Sequence, residues 1–195
     1  MKQSMTQPQI RPWWQKQLPM WITMSRMVFT IPCVVTLALY FPLTSMGIFI
    51  FSSITDYFDG YFARKWDATT TMGKFMDPIA DKILVTSVLI VLVAQGLVDP
   101  WSVMILMTRD TLVGGIRAVA AADQIVIAAK TTGKWKTALQ MFGIPLIISQ
   151  DILVPKGGQW GLAILWITVT LSLLSAWEYF FAYKNSKLGL TKTES

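Results

Sequence analysis

The chain has 195 residues, 53% of them hydrophobic, with nine Trp, eleven Met and a mean hydropathy of +0.49, the composition of a one-domain integral membrane protein. It has no histidine, which excludes histidine acid–base chemistry and histidine-ligated zinc, and its single cysteine, Cys33, excludes an internal disulfide. The net charge of +6 does not point to nucleic acid, because the basic residues lie between apolar runs, as topology signals and binders of anionic lipid or phosphorylated substrates do.

Residues 1–17 carry Lys2, Arg11 and Lys16 beside Trp13 and Trp14. Pro8 and Pro12 argue against a long helix there, and the polar start argues against a cleaved signal peptide. A short cytoplasmic or interfacial segment is expected, with its tryptophans at headgroup depth. Six apolar spans follow, at 20–41, 45–65, 77–97, 101–123, 137–155 and 160–183. Each has ~19–24 residues, enough to cross a hydrocarbon core of about 30 Å. The expected architecture is an all-α membrane protein of six transmembrane helices, as a domain over 18–183 with a cytoplasmic tail at 184–195.

In span one, Thr23 is either a helix hydroxyl bonded to its own backbone or a ligand contact, and Arg26 is expected to snorkel to the interface. Cys33 is expected to be a small packing residue. Spans two and three meet in the most informative stretch, from Asp56 to Asp81. Asp56 and Asp59 are three apart, and Asp77 and Asp81 four apart, so each pair shares one helical face. Gly60 and Ala63 leave the first face nearly bare of side chains, open to a ligand or a neighbouring backbone. Intramembrane carboxylates are costly and usually functional, whereas helix-end charges at the membrane surface are the bland alternative. Hard oxygen ligands suit Mg²⁺ or Mn²⁺, and four of them can serve two ions.

Lys and Arg set the orientation. Lys2, Arg11, Lys16, Arg64, Lys65, Lys74, Lys130, Lys134, Lys136, Lys184, Lys187 and Lys192 fall in the N-terminal segment, the 64–76 and 124–136 connections and the tail. The opposite connections hold only Lys156. Twelve against one puts both termini and the carboxylates at the cytoplasmic side, and the four Asp at one level.

These residues fit, without a gap, Asp-x2-Asp-Gly-x2-Ala-Arg-x8-Gly-x3-Asp-x3-Asp, with Asp56, Asp59, Gly60, Ala63, Arg64, Gly73, Asp77 and Asp81 in the fixed places. In this the chain resembles the CDP-alcohol phosphotransferase family, over about residues 18–183. The Thr23–Arg26 run also resembles a Pro-x3-Thr-x2-Arg element of many relatives, with Gln17 and Met20 where those often have asparagine. The resemblance implies transfer of a phosphatidyl group from CDP-diacylglycerol to an alcohol with release of CMP. It implies that Asp56, Asp59 and Asp77 hold one ion and Asp56, Asp77 and Asp81 a second, the two ions gripping the pyrophosphate. Asp81 is then also the general base, and Gly60, Arg64, Thr70 and Thr23 contact the CDP portion. A homodimer in the cytoplasmic (inner) membrane of a bacterium is implied as well, with the diacylglycerol tails left among the membrane lipids.

Span four puts Arg109, Asp110 and Arg117 inside an apolar run, with the two arginines eight apart and close to one face. They need an anionic partner. That partner is either protein (Asp110, Asp123 or a motif carboxylate) or a ligand phosphate. The connection before span five reads as a positive-inside loop at Lys130, but Gly133-Lys134-Trp135-Lys136-Thr137 resembles the Gly-Lys-x-Lys-Thr element of bacterial phosphatidylglycerophosphate synthases. Thr-Arg-Asp at 108–110 is similar to their Arg-Glu, with the carboxylate shortened. Arg109, Arg117, Lys134 and Lys136 are thus candidates for the phosphate of an acceptor, which favours sn-glycerol 3-phosphate over an inositol phosphate and disfavours serine, choline or ethanolamine. A non-catalytic lipid-binding or transport protein is the alternative from another class. Spans five and six show no other marked feature, Glu178 reads as an interfacial residue, and no internal repeat is present.

Overall fold

A computed structural model describes the backbone of residues 13–65, 71–122, 131–150 and 152–191, with side chains described for 24–55, 79, 82–120, 135–150, 152–184 and 186. These residues form six helices and, among them, no strand: α1 Trp13–Ala38, α2 Pro42–Lys65, α3 Thr71–Ala94, α4 Pro100–Ala122, α5 Thr131–Ser149 and α6 Gly157–Thr191.

The sharp ends of these helices have local causes. Pro42 and Pro100 occupy the first position of α2 and α4, where a missing N–H costs nothing. Asp99 caps α4: its Oδ2 accepts the Ser102 N–H at 3.1 Å. Tyr40 (φ 60°) and Gly96 (φ 71°) turn the chain left-handed after α1 and α3. There the Phe41 N–H reaches the Thr36 carbonyl and the Leu97 N–H the Leu92 carbonyl, each at 2.9 Å, closing the helix C-termini.

Several boundaries differ from the hydropathy reading. α1 starts at Trp13, so residues 13–17 of the expected interfacial segment share one helix with span one. α5 stops at Ser149 because Gln150 turns left-handed (φ 50°), although the sequence stays apolar through Ile152, Leu153 and Val154, which lie exposed in the turn before α6. Lys134 and Lys136 lie on α5 rather than in a connection.

Among the described residues the helices pack chiefly as α1 against α2 and α3, α2 against α5, and α6 against α4 and α5, whereas α3 and α4 touch sparsely. α5 and α6 cross most closely. A Cβ on Gly161 would sit 2.6 Å from Ile147 Cγ1 and 2.8 Å from the Gly143 carbonyl oxygen, so only glycine fits. Phe49, Leu84, Val88, Leu92, Ile144 and Leu165 form the centre of the core. Cys33 is fully buried against α2, and Ser45 Oγ donates to its carbonyl at 3.0 Å.

Polarity is inverted relative to a water-soluble protein. Ser45, Ser52, Ser102, Thr168, Ser172 and Ser175 are buried, while Ile31, Leu39, Phe51, Leu112, Phe142 and Trp177 are exposed. Among the described residues, Gly157–Lys184 is long and apolar enough to cross a membrane, and Met24–Ala38, Pro42–Thr55 and Lys82–Ala94 are shorter apolar helical stretches. Arg26 does not snorkel. It is 2% exposed and lies inside the bundle, where Thr30 Oγ1 donates to its carbonyl.

Candidate active site

The eight fixed positions of the motif divide between two helices. Asp56, Asp59, Gly60, Ala63 and Arg64 lie on the last turns of α2, and Gly73, Asp77 and Asp81 on the first turns of α3. The connection at 66–70 limits the separation of the two helix ends to about 20 Å. The side chains at these positions lie outside the described residues, as do those of Thr23 and Lys134 and the whole of Thr70. The donor set suits a divalent cation by its chemistry: four carboxylates, spaced as helical neighbours on consecutive helices, offer hard oxygen and little else.

The second cluster is described atom by atom. On α4, Arg109 is buried and reaches across to α6. Its Nε donates to the Ser172 carbonyl at 2.9 Å and its Nη2 to Ser175 Oγ at 2.8 Å. Its Nη1 donates to Asp110 Oδ1 at 2.9 Å. Lys136 of α5, also buried, donates to that same Asp110 oxygen. Two cations therefore converge on one carboxylate oxygen, and the triad keeps one net positive charge. Breaking such a buried arrangement on one side is costly, because the surviving charge is left without its partner. Asp110 is thus a protein anion for Arg109, one of the two kinds of partner expected for it.

Arg117, two turns further along α4, is exposed and donates from Nη2 to Tyr179 Oη at 2.8 Å, with its Cζ 5.0 Å from the ring centroid. Both arginines therefore face α6, as their spacing predicts. Lys82, one residue past Asp81, donates from Nζ to the Asp110 carbonyl at 3.1 Å. A cleft of ≈ 330 Å³ opens beside it between α3 and α4, lined by apolar Ile83, Leu89, Leu106 and Met107 and by polar Asp110, Thr111 and Gln140.

The chain matches the CDP-alcohol phosphatidyltransferase family over residues 16–174. It belongs to that family. Members are membrane-associated transferases that generally use divalent metal ions. One relative, from Rickettsia bellii (strain RML369-C), is 35% identical over 177 residues, covering 87% of this chain and 96% of its own. A second, from Bacillus subtilis (strain 168), is 38% identical over 134 residues, covering 68% and 69%. A third, from Mycoplasma pneumoniae, is 36% identical over 152 residues, covering 67% of each. All three carry the name CDP-diacylglycerol–glycerol-3-phosphate 3-phosphatidyltransferase.

Within this transferase, the α6 partners of the arginines escaped the sequence reading, which found spans five and six unmarked. Their signal was present: Thr168, Ser172, Ser175 and Tyr179 recur at intervals of four, three and four, one helical stripe through an apolar run. Lys82 reads in the sequence only as a fixed cation near the four aspartates, with Arg64 and Lys74, and nothing in the sequence marks its reach to α4.

Proposed function

We propose that this chain transfers the phosphatidyl group of CDP-diacylglycerol to sn-glycerol 3-phosphate, giving phosphatidylglycerophosphate and CMP. One observation carries this reading: relatives matching most of the chain share one name, and that name specifies both donor and acceptor. The convergence of Arg109 and Lys136 on Asp110, with Arg117 two turns further along α4, supports an acceptor that brings its own phosphate.

Asp56, Asp59, Asp77 and Asp81 would hold one or two Mg²⁺ or Mn²⁺ ions, which supply charge neutralisation at the pyrophosphate. Asp81 takes the proton of the acceptor hydroxyl, whose oxygen bonds to the phosphatidyl phosphorus as the bond from that phosphorus to the CMP oxygen breaks. Gly60, Arg64, Thr70 and Thr23 hold the CDP portion. Arg117, Lys134 and Lys136 meet the acceptor phosphate, and Arg109, with three nitrogens already bonded to protein, contributes its charge and fixes α4 against α6.

The six helices cross the cytoplasmic membrane of a bacterium as one domain over 18–183, with 1–17 and 184–195 and the site on the cytoplasmic side. The Lys and Arg asymmetry and the apolar exterior support that placement. Assembly as a homodimer rests on the family resemblance.

The test is CMP release by purified protein given CDP-diacylglycerol, Mg²⁺ and a panel of labelled acceptors. Labelled lipid should form with sn-glycerol 3-phosphate. Product with an inositol phosphate alone would replace the acceptor, and binding of CDP-diacylglycerol with no CMP from any acceptor would remove the enzymatic reading.

A further inference from the structure

The helix that carries Asp77 and Asp81 and the helix that carries Arg109 and Arg117 belong to opposite halves of the proposed reaction, yet among the described residues they touch sparsely and a cleft opens between them. Lys82 crosses that gap. Its ammonium meets the Asp110 carbonyl at 3.1 Å, in mid-helix, where the oxygen has a second lone pair beyond the one used by the helical ladder. Gly114, one turn further on, lies directly beneath the ammonium: a Cβ there would be in van der Waals contact with Lys82 Nζ at 3.4 Å, and a larger side chain would reach into its place. The same Asp110 receives Arg109 and Lys136 on its carboxylate. A charge-assisted bond from α3 therefore lands on the residue that already joins α4 to α5.

We propose that Lys82 is a positioning residue: its bond to the Asp110 carbonyl, seated over Gly114, sets the approach of the Asp77–Asp81 helix to the arginine helix. The inference rests on the reading above, in which α3 supplies metal ligands and base while α4 helps to bind the acceptor. Lys82 acts through the spacing of those helices, so it governs the alignment of hydroxyl and phosphorus more than the affinity for either substrate. Small errors in such alignment slow a reaction steeply.

The experiment compares Lys82→Met, which keeps the length and apolar stem without the ammonium, with Gly114→Leu, which displaces the ammonium from the other side. Each should lower kcat about tenfold to a hundredfold. The half-saturating concentrations of CDP-diacylglycerol and glycerol 3-phosphate should move by less than about threefold, with kcat referred to the folded fraction measured by size-exclusion chromatography, because loss of folded enzyme also lowers the maximal rate at unchanged half-saturation. The double variant should be no slower than the slower single, because both changes break one joint. If Gly114→Leu fails to assemble, Gly114→Val takes its place in the cycle. Wild-type kcat in Lys82→Met overturns the proposal. So does a higher half-saturating concentration for one substrate at unchanged kcat, which would make Lys82 a substrate contact, and so do losses that multiply in the double variant. The wild-type enzyme is run in parallel. If it turns over with a different acceptor, the acceptor assignment falls, and the Lys82 comparison is made and judged with that acceptor.

Discussion

Arg109 and Arg117 share a helix face but differ in how fully protein atoms occupy them, and that difference separates a supporting residue from a binding one. Arg117 touches protein through one terminal nitrogen and is exposed, so its removal should act on the ligand. Loss of one charge-assisted hydrogen bond costs about 1.5–3 kcal/mol. Arg117→Ala should therefore raise the half-saturating glycerol 3-phosphate concentration by about tenfold or more, with that for CDP-diacylglycerol nearly unchanged. Arg64→Ala should do the reverse. Steady-state kinetics with each substrate varied in turn decides between them, and loss of donor affinity in Arg117→Ala would refute the acceptor assignment. The carboxylates predict a different phenotype. Asp56→Asn and Asp77→Asn should each abolish turnover while membrane insertion stays intact, and excess chelator should silence the wild-type enzyme until Mg²⁺ or Mn²⁺ is restored. Full activity in chelator would refute a metal role. The motif was legible as residues because its spacing is rigid. The anionic partner of Arg109 was legible only as a choice, because a sequence shows that two arginines need an anion and not which one reaches them.

At the level of elements, hydropathy located all six helices but misjudged where α5 and α6 begin and end. Hydropathy measures what a segment dissolves in, whereas helix ends are set by backbone geometry, here the left-handed turn at Gln150. It also overlooked the α5–α6 crossing, since Gly143 and Gly161 matter through the close approach they permit and carry no apolar signal of their own. Gly161→Val would force Ile147 and the Gly143 backbone apart. Overpacking of this kind costs about 1–3 kcal/mol. The variant should lower the thermal midpoint in detergent, read by intrinsic tryptophan fluorescence, and an unchanged midpoint would mean that the two helices slide apart freely. Arg109→Ala should also destabilise, through its lost bonds to Ser172 and Ser175.

For the molecule as a whole, the charge asymmetry makes the strongest prediction. Tags at either terminus should report from the cytoplasm and one inserted at 156–159 from the outside. Accessibility labelling that puts the termini on opposite faces would overturn the count of spans. The inverted polarity agrees with the composition: serine and threonine hydroxyls inside, several bonded to the carbonyl one turn back, and aliphatic and aromatic side chains outside.

The uneven packing of the bundle also bears on engineering. At Gly161 there is no spare volume, so the α5–α6 contact can only be weakened by substitution. The opening between α3 and α4, by contrast, is unfilled space beside the joint that Lys82 makes. Ser87 lines that opening, so a bulkier apolar residue there should gain contacts with its walls. A thermostabilised variant for crystallography should therefore be sought along that seam, with Lys82 and Gly114 left as they are.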